Sequence, residues 1–359
     1  MRITDQEFAA FEAAGLHLNG AMEFAEPGWE SNFGLAMDAQ PSLVTSTNAG
    51  IPLFLTTIID PQIIQILFAP LKAAKILKEV KKGTWLDQTA LFPIVEHTGE
   101  VSSYGDFANN GRAGLNTDFP NRQAYLYQII KEYGELEMER AGLAKISWAA
   151  ELDRAAVDIL NRFQNYTYFF GVNGLINYGL TNDPALTASL TPATKAAGGV
   201  TWFTAGGAPN ATANEVFNDI VAIYEQLVSQ ADGLLDIDNE TSLVLALAPK
   251  PSVALKFTNA FGITVEDMLK KAFPKLRVET AVQYGVTSTS NSQGIAAGNL
   301  VQLIADGVQG QDTAYCVFNE KLRTHPIIRD LSSFKQKATQ GTFGTVIRMP
   351  FLIASMLGI

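Results

Sequence analysis

A chain of 359 residues that is 47% hydrophobic and 17% charged has ample material for a core, roughly two domains' worth, and is too apolar to be disordered. Its net charge of −10 argues against nucleic-acid binding by phosphate neutralisation. Its single cysteine, Cys316 in the apolar run TAYCVFN, excludes an intrachain disulfide framework and favours a reducing site of folding.

The charged fraction falls below the roughly 25% usual for a soluble domain, which suggests a surface partly covered by partners. The opening MRITDQEFAAFEAAG carries acidic residues and no apolar core, so it does not read as a signal peptide. No apolar run reaches the ~18 residues a membrane span needs. The best attempt, IPLFLTTIIDPQIIQILFAPL, is broken by Asp60, Pro61 and Gln62.

Residues 1–60 read as an arm without a core of its own. Thr4 and Glu7 have capping-box spacing, with Phe8 and Phe11 on one face of a short helix. Over 61–83 the sequence predicts a helix with Asp60 as N-cap and Pro61 in its first turn, interrupted at Pro70. Lys72, Lys75, Lys78 and Lys82 then recur at helical spacing. They form either a solvated face or a basic stripe that meets a neighbouring chain.

Residues 84–133 predict two extended arms, TWLDQTALFPIVEHTGE and NRQAYLYQIIKEYGE, around a Gly-, Asn- and Asp-rich stretch. This is a long projecting hairpin with tip residues Tyr104, Asp106, Asn109, Asn110 and Arg112. Free strand edges are a liability for a monomer, and the hairpin makes sense lying on another subunit. Beyond it, Glu135, Glu137 and Glu139 alternate by two and would share one face of a strand.

Residues 140–171 carry the strongest helical period. Trp148, Leu152, Ala155, Ile159, Phe163, Tyr166 and Phe170 fall on one stripe, opposite charges of alternating sign. The expected core of this helix is Trp148, Leu152, Ile159, Phe163 and Phe170, and Gly171 supplies a left-handed stop.

The stretch FFGVNGLINYGLTNDP follows. Its glycines at 171, 174 and 179 fit no phosphate-binding spacing and precede no Lys-Ser/Thr pair. Gly171, Gly174, Asn177 and Gly179 therefore read as a hinge between two structural parts.

Residues 173–325 read as α/β. A helix is expected in NATANEVFNDIVAIYEQLVSQADG, with Val216, Ile220, Ile223 and Leu227 on one side, and a buried strand in TSLVLALAP. Pro251 opens a further helix, SVALKFTNAFG, and Thr264 with Asp267 resembles a capping pair. Strands are expected in LRVETAVQY, NLVQLIAD and TAYCVFN, and residues 326–359 look like β-structure with an apolar tail.

Tests for chemistry are negative. There is no Walker loop, no G-x-G-x-x-G and no G-x-S-x-G elbow. His17, His97 and His325 are too far apart in sequence for zinc-ligand spacing. A calcium loop starting at Asp106 fails, with Ala108 at its third position and Thr117 where a bidentate Glu is required. No catalytic, cofactor-binding or metal-binding residue is assigned, and no cofactor is expected.

The order of these parts resembles the major capsid proteins of tailed bacteriophages, of the Hong Kong 97-type fold. The segments FPIVEHTGEVSSYGDFANNGRAGLNTDFPNRQAYLYQ, YGELEMERAGLAKI and FQNYTYFFGVNGLINYGLTNDP resemble a branch of phage and prophage capsid proteins over about residues 50–359. The resemblance implies an α+β fold with an N-arm (1–60), a basic helix (61–83), an extended loop (84–133), and a peripheral domain with a spine helix (134–172). An axial domain (173–325) and a C-terminal return to the peripheral β-structure (326–359) complete it.

It further implies a structural protein, not an enzyme, that self-assembles into pentamers and hexamers of an icosahedral shell around double-stranded DNA, without sequence-specific binding. The shell would be a virion capsid assembled in the bacterial host cytoplasm. Scaffolding, portal and decoration proteins are further candidate partners; a membrane is not. No large fused scaffold segment is expected ahead of the extended loop. Other readings are an encapsulin-type nanocompartment shell, a tail or adaptor protein, and an α/β enzyme.

Some members of this fold cross-link through a Lys on the extended loop. Here no Lys occurs between Lys82 and Lys131. Assembled particles should therefore run as single subunits on a denaturing gel, and isopeptide-linked ladders would contradict this.

Overall fold

The computed structural model describes residues 70–107, 109–143, 147–235, 241–285 and 299–359. The chain divides into the units Met1–Ile63 and Ile64–Ile359, and the described residues belong to the second. The expected arm over 1–60, its Thr4–Glu7 pair and the Asp60–Pro61 helix start lie outside them.

From residue 70 the chain forms α1 (Ala73–Ile76), β1 (Lys78–Lys81), β2 (Thr89–Leu91), β3 (Ile94–Glu100), β4 (Arg112–Asp118), β5 (Asn121–Gln123) and β6 (Tyr125–Gly134). Helices α2 (Glu135–Leu143), α3 (Trp148–Phe170) and α4 (Ala213–Ala231) follow. Next come β7 (Leu243–Leu247), α5 (Pro249–Ser252), α6 (Val265–Ala272), β8 (Leu276–Thr280), β9 (Leu300–Ala305), β10 (Gly307–Val308) and β11 (Gln311–Asp312). The chain ends in β12 (Ala314–Thr324), β13 (Ile328–Asp330), β14 (Ser333–Ile347) and β15 (Ile353–Leu357).

Two sheets organise the described residues. In the first, the long β14 pairs antiparallel with β12, β13 and β6, while β1 pairs in parallel with β12. In the second, the order is β15-β9-β7-β8.

Every residue of β7 is buried. Its side chains alternate between two cores, as the period of a strand requires. Leu243, Leu245 and Leu247 meet Val216, Ile220, Ile223 and Leu227 of α4, together with Val265 and Leu269 at α6. Val244 and Ala246 face a second core with Phe169, Phe170, Leu180 and Tyr284. A strand covered on both faces reads as an unbroken apolar run, which is why TSLVLALAP stands out.

Capping fixes the helix starts. The Thr212 side chain accepts from Glu215 N while the Glu215 carboxylate accepts from Thr212 N, a complete capping box at α4. Thr264 accepts from Asp267 N in the same way at α6. The loop ahead of α4 is tied down from inside. Lys195 Nζ at 2.5 Å and Trp202 Nε1 at 2.7 Å both donate to the buried Asp219 carboxylate.

Several expectations are corrected. The helix over 61–83 gives only one turn, α1, within the described residues, because Lys78–Lys81 is drawn into the first sheet beside β12. Glu135, Glu137 and Glu139 lie on α2, not on a strand. The second arm of the hairpin leaves it early, since β6 runs along β14 from Tyr125 onward.

The helix opened by Pro251 is only a short turn at α5 continued by a 3-10 turn, Val253–Lys256. The last strand does not stay with the first sheet. β15 pairs with β9 in the second, whereas β12, expected in the axial part, belongs to the first. Long-range strand pairing decides which sheet β12 and β15 join, which local spacing does not show.

Leu245 is fully buried in the middle of β7. Leu245→Ala should lower unfolding stability by about 2–5 kcal/mol, measured by urea denaturation of the unassembled protein.

Candidate functional site

The last turn of a helix leaves four carbonyls without intrahelical partners, and these must be satisfied if the end is buried. α3 ends in Tyr168, Phe169 and Phe170, all buried, so water cannot serve. The chain solves this by folding back. Gly171 N donates to Thr167 O (2.7 Å), Leu180 N to Tyr168 O (2.9 Å) and Thr181 N to Phe169 O (3.1 Å). Asn182 Nδ2 donates to Phe170 O (2.8 Å), and Thr345 Oγ1 of β14 adds a second bond to Tyr168 O (2.7 Å).

This return requires glycine. Gly171 has φ +65°, and a Cβ there would stand 2.2 Å from Asn177 O. A Cβ on Gly179 would stand 2.2 Å from the Phe169 carbonyl. Gly174 also has a positive φ, +83°, but nothing lies within 4 Å of its Cβ position. Asn177 is fully buried and donates to Gln123 O (3.0 Å) and Thr342 O (3.3 Å). The four residues expected to hinge therefore form a packed joint in the subunit, with Gly174 on its open side.

The projecting hairpin is the opposite case. β3 and β4 pair from Ile94↔Asp118 to Glu100↔Arg112, and every residue of both strands is exposed. The tip between them is exposed too, with Tyr104 at 92% and Phe107 at 102%. Tyr104 OH donates to Asp106 (2.9 Å), and Asn109 and Asn110 lie open beside Arg112, the first residue of β4. A two-stranded ribbon with no packed face is marginal in water.

The stripe Trp148, Leu152, Ile159, Phe163 and Phe170 is not the subunit's core. Phe170 is buried and Leu152 half-buried, but Trp148, Ile159 and Phe163 are exposed, Ile159 at 51%. The inward face runs through Ala156, Leu160, Gln164 and Thr167 instead. The reason is that the sheet beneath it is polar. Gln164 Nε2 donates to Tyr168 OH (2.7 Å), which donates to Glu79 (2.8 Å), and Thr167 meets Thr342 at 3.4 Å. Asn165 Oδ1 accepts from Lys72 N and Ala73 N. Phe163 instead covers Tyr127 of β6, with ring centroids 4.6 Å apart.

The lysines do not form one stripe. Lys72 pairs with Glu279 at 3.1 Å and Lys78 with Asp312 at 2.7 Å, both within the subunit. Lys75 and Lys82 are exposed, on α1 and just after β1, with no ion-pair partner among the described residues.

Cys316 is buried beside Thr345, and burial pushes its thiol up to about 12, so it stays protonated at neutral pH. Burial likewise raises Tyr168 and Tyr127. His97 is exposed on β3, and His325 meets Thr339 Oγ1 at 3.2 Å. Among the described residues no group of three or more His, Cys, Asp or Glu is placed to hold a metal. No described helix is long and apolar enough to cross a membrane.

Reading the sequence missed Thr181, Gly344, and Arg122 and Gln123 at the hairpin root. Thr181 and Asn182 carry a local signal, because Thr and Asn just past a helix end are residues that bond backbone groups. Arg122 carries none, since its partner Asp183 lies 61 residues away.

A sheet crossed by a long helix, a second α/β sheet at the helix end and a bare projecting hairpin define a capsid subunit of the Hong Kong 97-type fold. The fold is shared with solved capsids. That of Myoviridae phage XM1 is 12% identical with a TM-score of 0.65, over 86% of this chain and 99% of that one. The capsid of the native GTA particle is 12% identical with a TM-score of 0.56, over 88% and 99%. Gordonia phage Cozz is 12% identical with a TM-score of 0.52, over 89% and 98%. A search of curated proteins gives no match.

Residues 42–358 match the model of the Pa193 gp26 major capsid protein family, and the chain belongs to that family. It is thus a phage major capsid protein, a structural subunit that self-assembles into the multimeric shell of a virion.

The packed joint sets an order among its glycines. Gly179→Ala should sharply reduce soluble folded protein, because its clash is with backbone. Gly174→Ala should cost only the left-handed conformation, about 1–2 kcal/mol, and leave assembly intact. Thermal melts and particle counts of the two variants would show the contrast.

Proposed function

We propose that this chain forms pentamers and hexamers of a closed icosahedral shell around double-stranded DNA. In this reading each extended loop lies on a neighbouring subunit, the 1–60 arm crosses between subunits, and the lattice is non-covalent. Scaffolding, portal and decoration proteins would join during assembly in the bacterial host cytoplasm. The protein would act without a catalytic centre or cofactor, and the net charge of −10 suits DNA that is driven in and not drawn in by the wall.

The observation that carries this reading is the hairpin. Two paired strands with no buried residue, joined by a tip that carries Tyr104 and Phe107, have nothing to pack on among the described residues. Apolar surface of this kind is retained where a partner covers it. The tip residues Tyr104, Asp106, Asn109, Asn110 and Arg112 would make that contact. Trp148, Ile159 and Phe163 of α3, together with Lys75 and Lys82, offer further surface to neighbours.

Negative-stain microscopy of the purified full chain after size exclusion should show capsomers or closed shells. Removing residues 94–118 should leave a folded subunit that no longer assembles. A wild-type chain that stays monomeric in every condition, or a hairpin deletion that still forms shells, would defeat the reading.

A further inference from the structure

The root of the hairpin is bonded to the joint, across a wide gap in sequence. Arg122 on β5 places its guanidinium 2.7 Å from Asp183 and over the Tyr178 ring at 5.0 Å. Both charged side chains are buried, Asp183 at 1% exposure and Arg122 at 11%. The next residue grips the same segment. Gln123 N donates to Ile176 O (2.8 Å), and Ile176 N donates to Gln123 Oε1 (3.0 Å).

The joint in turn is fixed to the second sheet, where Gln302 Nε2 of β9 donates to Leu180 O (3.2 Å). A continuous chain of short polar contacts thus links the hairpin root to the axial sheet. A buried ion pair tolerates no loosening of one partner alone, because the other charge would be left unpaired in a dry site.

We infer that Arg122 is a positioning residue for assembly. It locks the direction in which the hairpin leaves the subunit to the setting of the spine-to-axial joint, so that the two shift together. The inference uses the capsid reading only for its consequence: a subunit that adapts to different curvature in a shell would re-aim its hairpin as its axial domain tilts. The coupling itself is a property of the unassembled chain.

Hydrogen exchange read by mass spectrometry on the full-length, unassembled protein tests it. In Arg122→Gln and in Asp183→Asn, the amides of 119–124 and of 176–183 should both exchange at least tenfold faster, and to similar extents. The double variant should be no worse than either single one, and Arg122→Lys should fall between wild type and Arg122→Gln. α4 and β7 should be unchanged.

Segments held independently of one another would let residues 119–124 loosen alone. That outcome, or unchanged protection in both segments, would overturn the inference. If the charge variants fail to fold, Gln123→Ala keeps the ion pair and removes only the bond from Ile176 N. It should raise exchange in both segments together, and a rise confined to one would overturn the coupling. Failure of the wild-type chain to form shells would count against the capsid reading while leaving the exchange result to stand or fall by itself.

Discussion

The end of the long helix is the constraint on which the rest depends. Three large aromatic residues at the close of α3 bury its last turn, and burial removes water as a partner for the terminal carbonyls. The chain must then supply donors itself, and it does so within the twelve residues that follow, the last of them Asn182. This single requirement brings Thr181 and Asn182 against the helix end and demands glycine where the backbones cross. It also brings β14 into contact, through Thr345 on the Tyr168 carbonyl. The close approach continues at Gly344, whose φ of +74° and lack of a side chain leave room for Asn177 and the Tyr178 carbonyl.

From that point the two sheets are no longer independent. Phe169 and Phe170 sit in the same core as Val244, Ala246 and Ile304 of the second sheet and Cys316 of the first. The core is shared, so relative movement of the sheets would cost buried apolar surface, at about 25 cal/mol per Å². The polar contacts between α3 and the first sheet act differently. Gln164, Thr167, Gln340 and Thr342 are buried with partners, and such pairs favour one register of the helix on the sheet more than they add stability. Apolar contact holds the joint together, and polar contact fixes its geometry.

The same division explains what could be read from the sequence. α4 was legible because its apolar residues Val216, Ile220, Ile223 and Leu227 keep a helical period. The strand at Leu243–Leu247 was legible because burial on both faces leaves an unbroken apolar run. The hairpin was legible in residue types, from strand formers on either side of a Gly- and Asn-rich stretch. The point where Tyr125 leaves it was not, because pairing with β14 decides that. The stripe of α3 misled for a physical reason. An amphipathic period locates an apolar stripe, whereas the buried face of this helix mixes Ala156 and Leu160 with Gln164, Asn165 and Thr167 over a polar sheet. The glycines of the joint were visible, but glycine permits both freedom and close packing, and only the neighbouring backbone shows which applies. The Arg122–Asp183 pair had no local trace at all.

What the packed joint leaves over is as informative as what it buries. The α3 residues displaced from the core, Trp148, Ile159 and Phe163, lie on the surface, and the hairpin adds Val95, Leu115 and Phe119. Scattered apolar residues on a surface need no explanation, but a bare ribbon with an apolar tip does. The low charged fraction of the chain, 17%, points the same way, since surface given to neighbours need not be charged. A shell subunit is under opposing demands: enough internal packing to fold, and enough unburied surface to associate. This chain separates them in space. Its described cores lie around β7, at the end of α3 and between β12 and β14, and its exposed apolar side chains lie on the hairpin and the outer face of the same helix. Stability of such a subunit is linked to association by mass action, because anything that covers the bare ribbon favours the folded state.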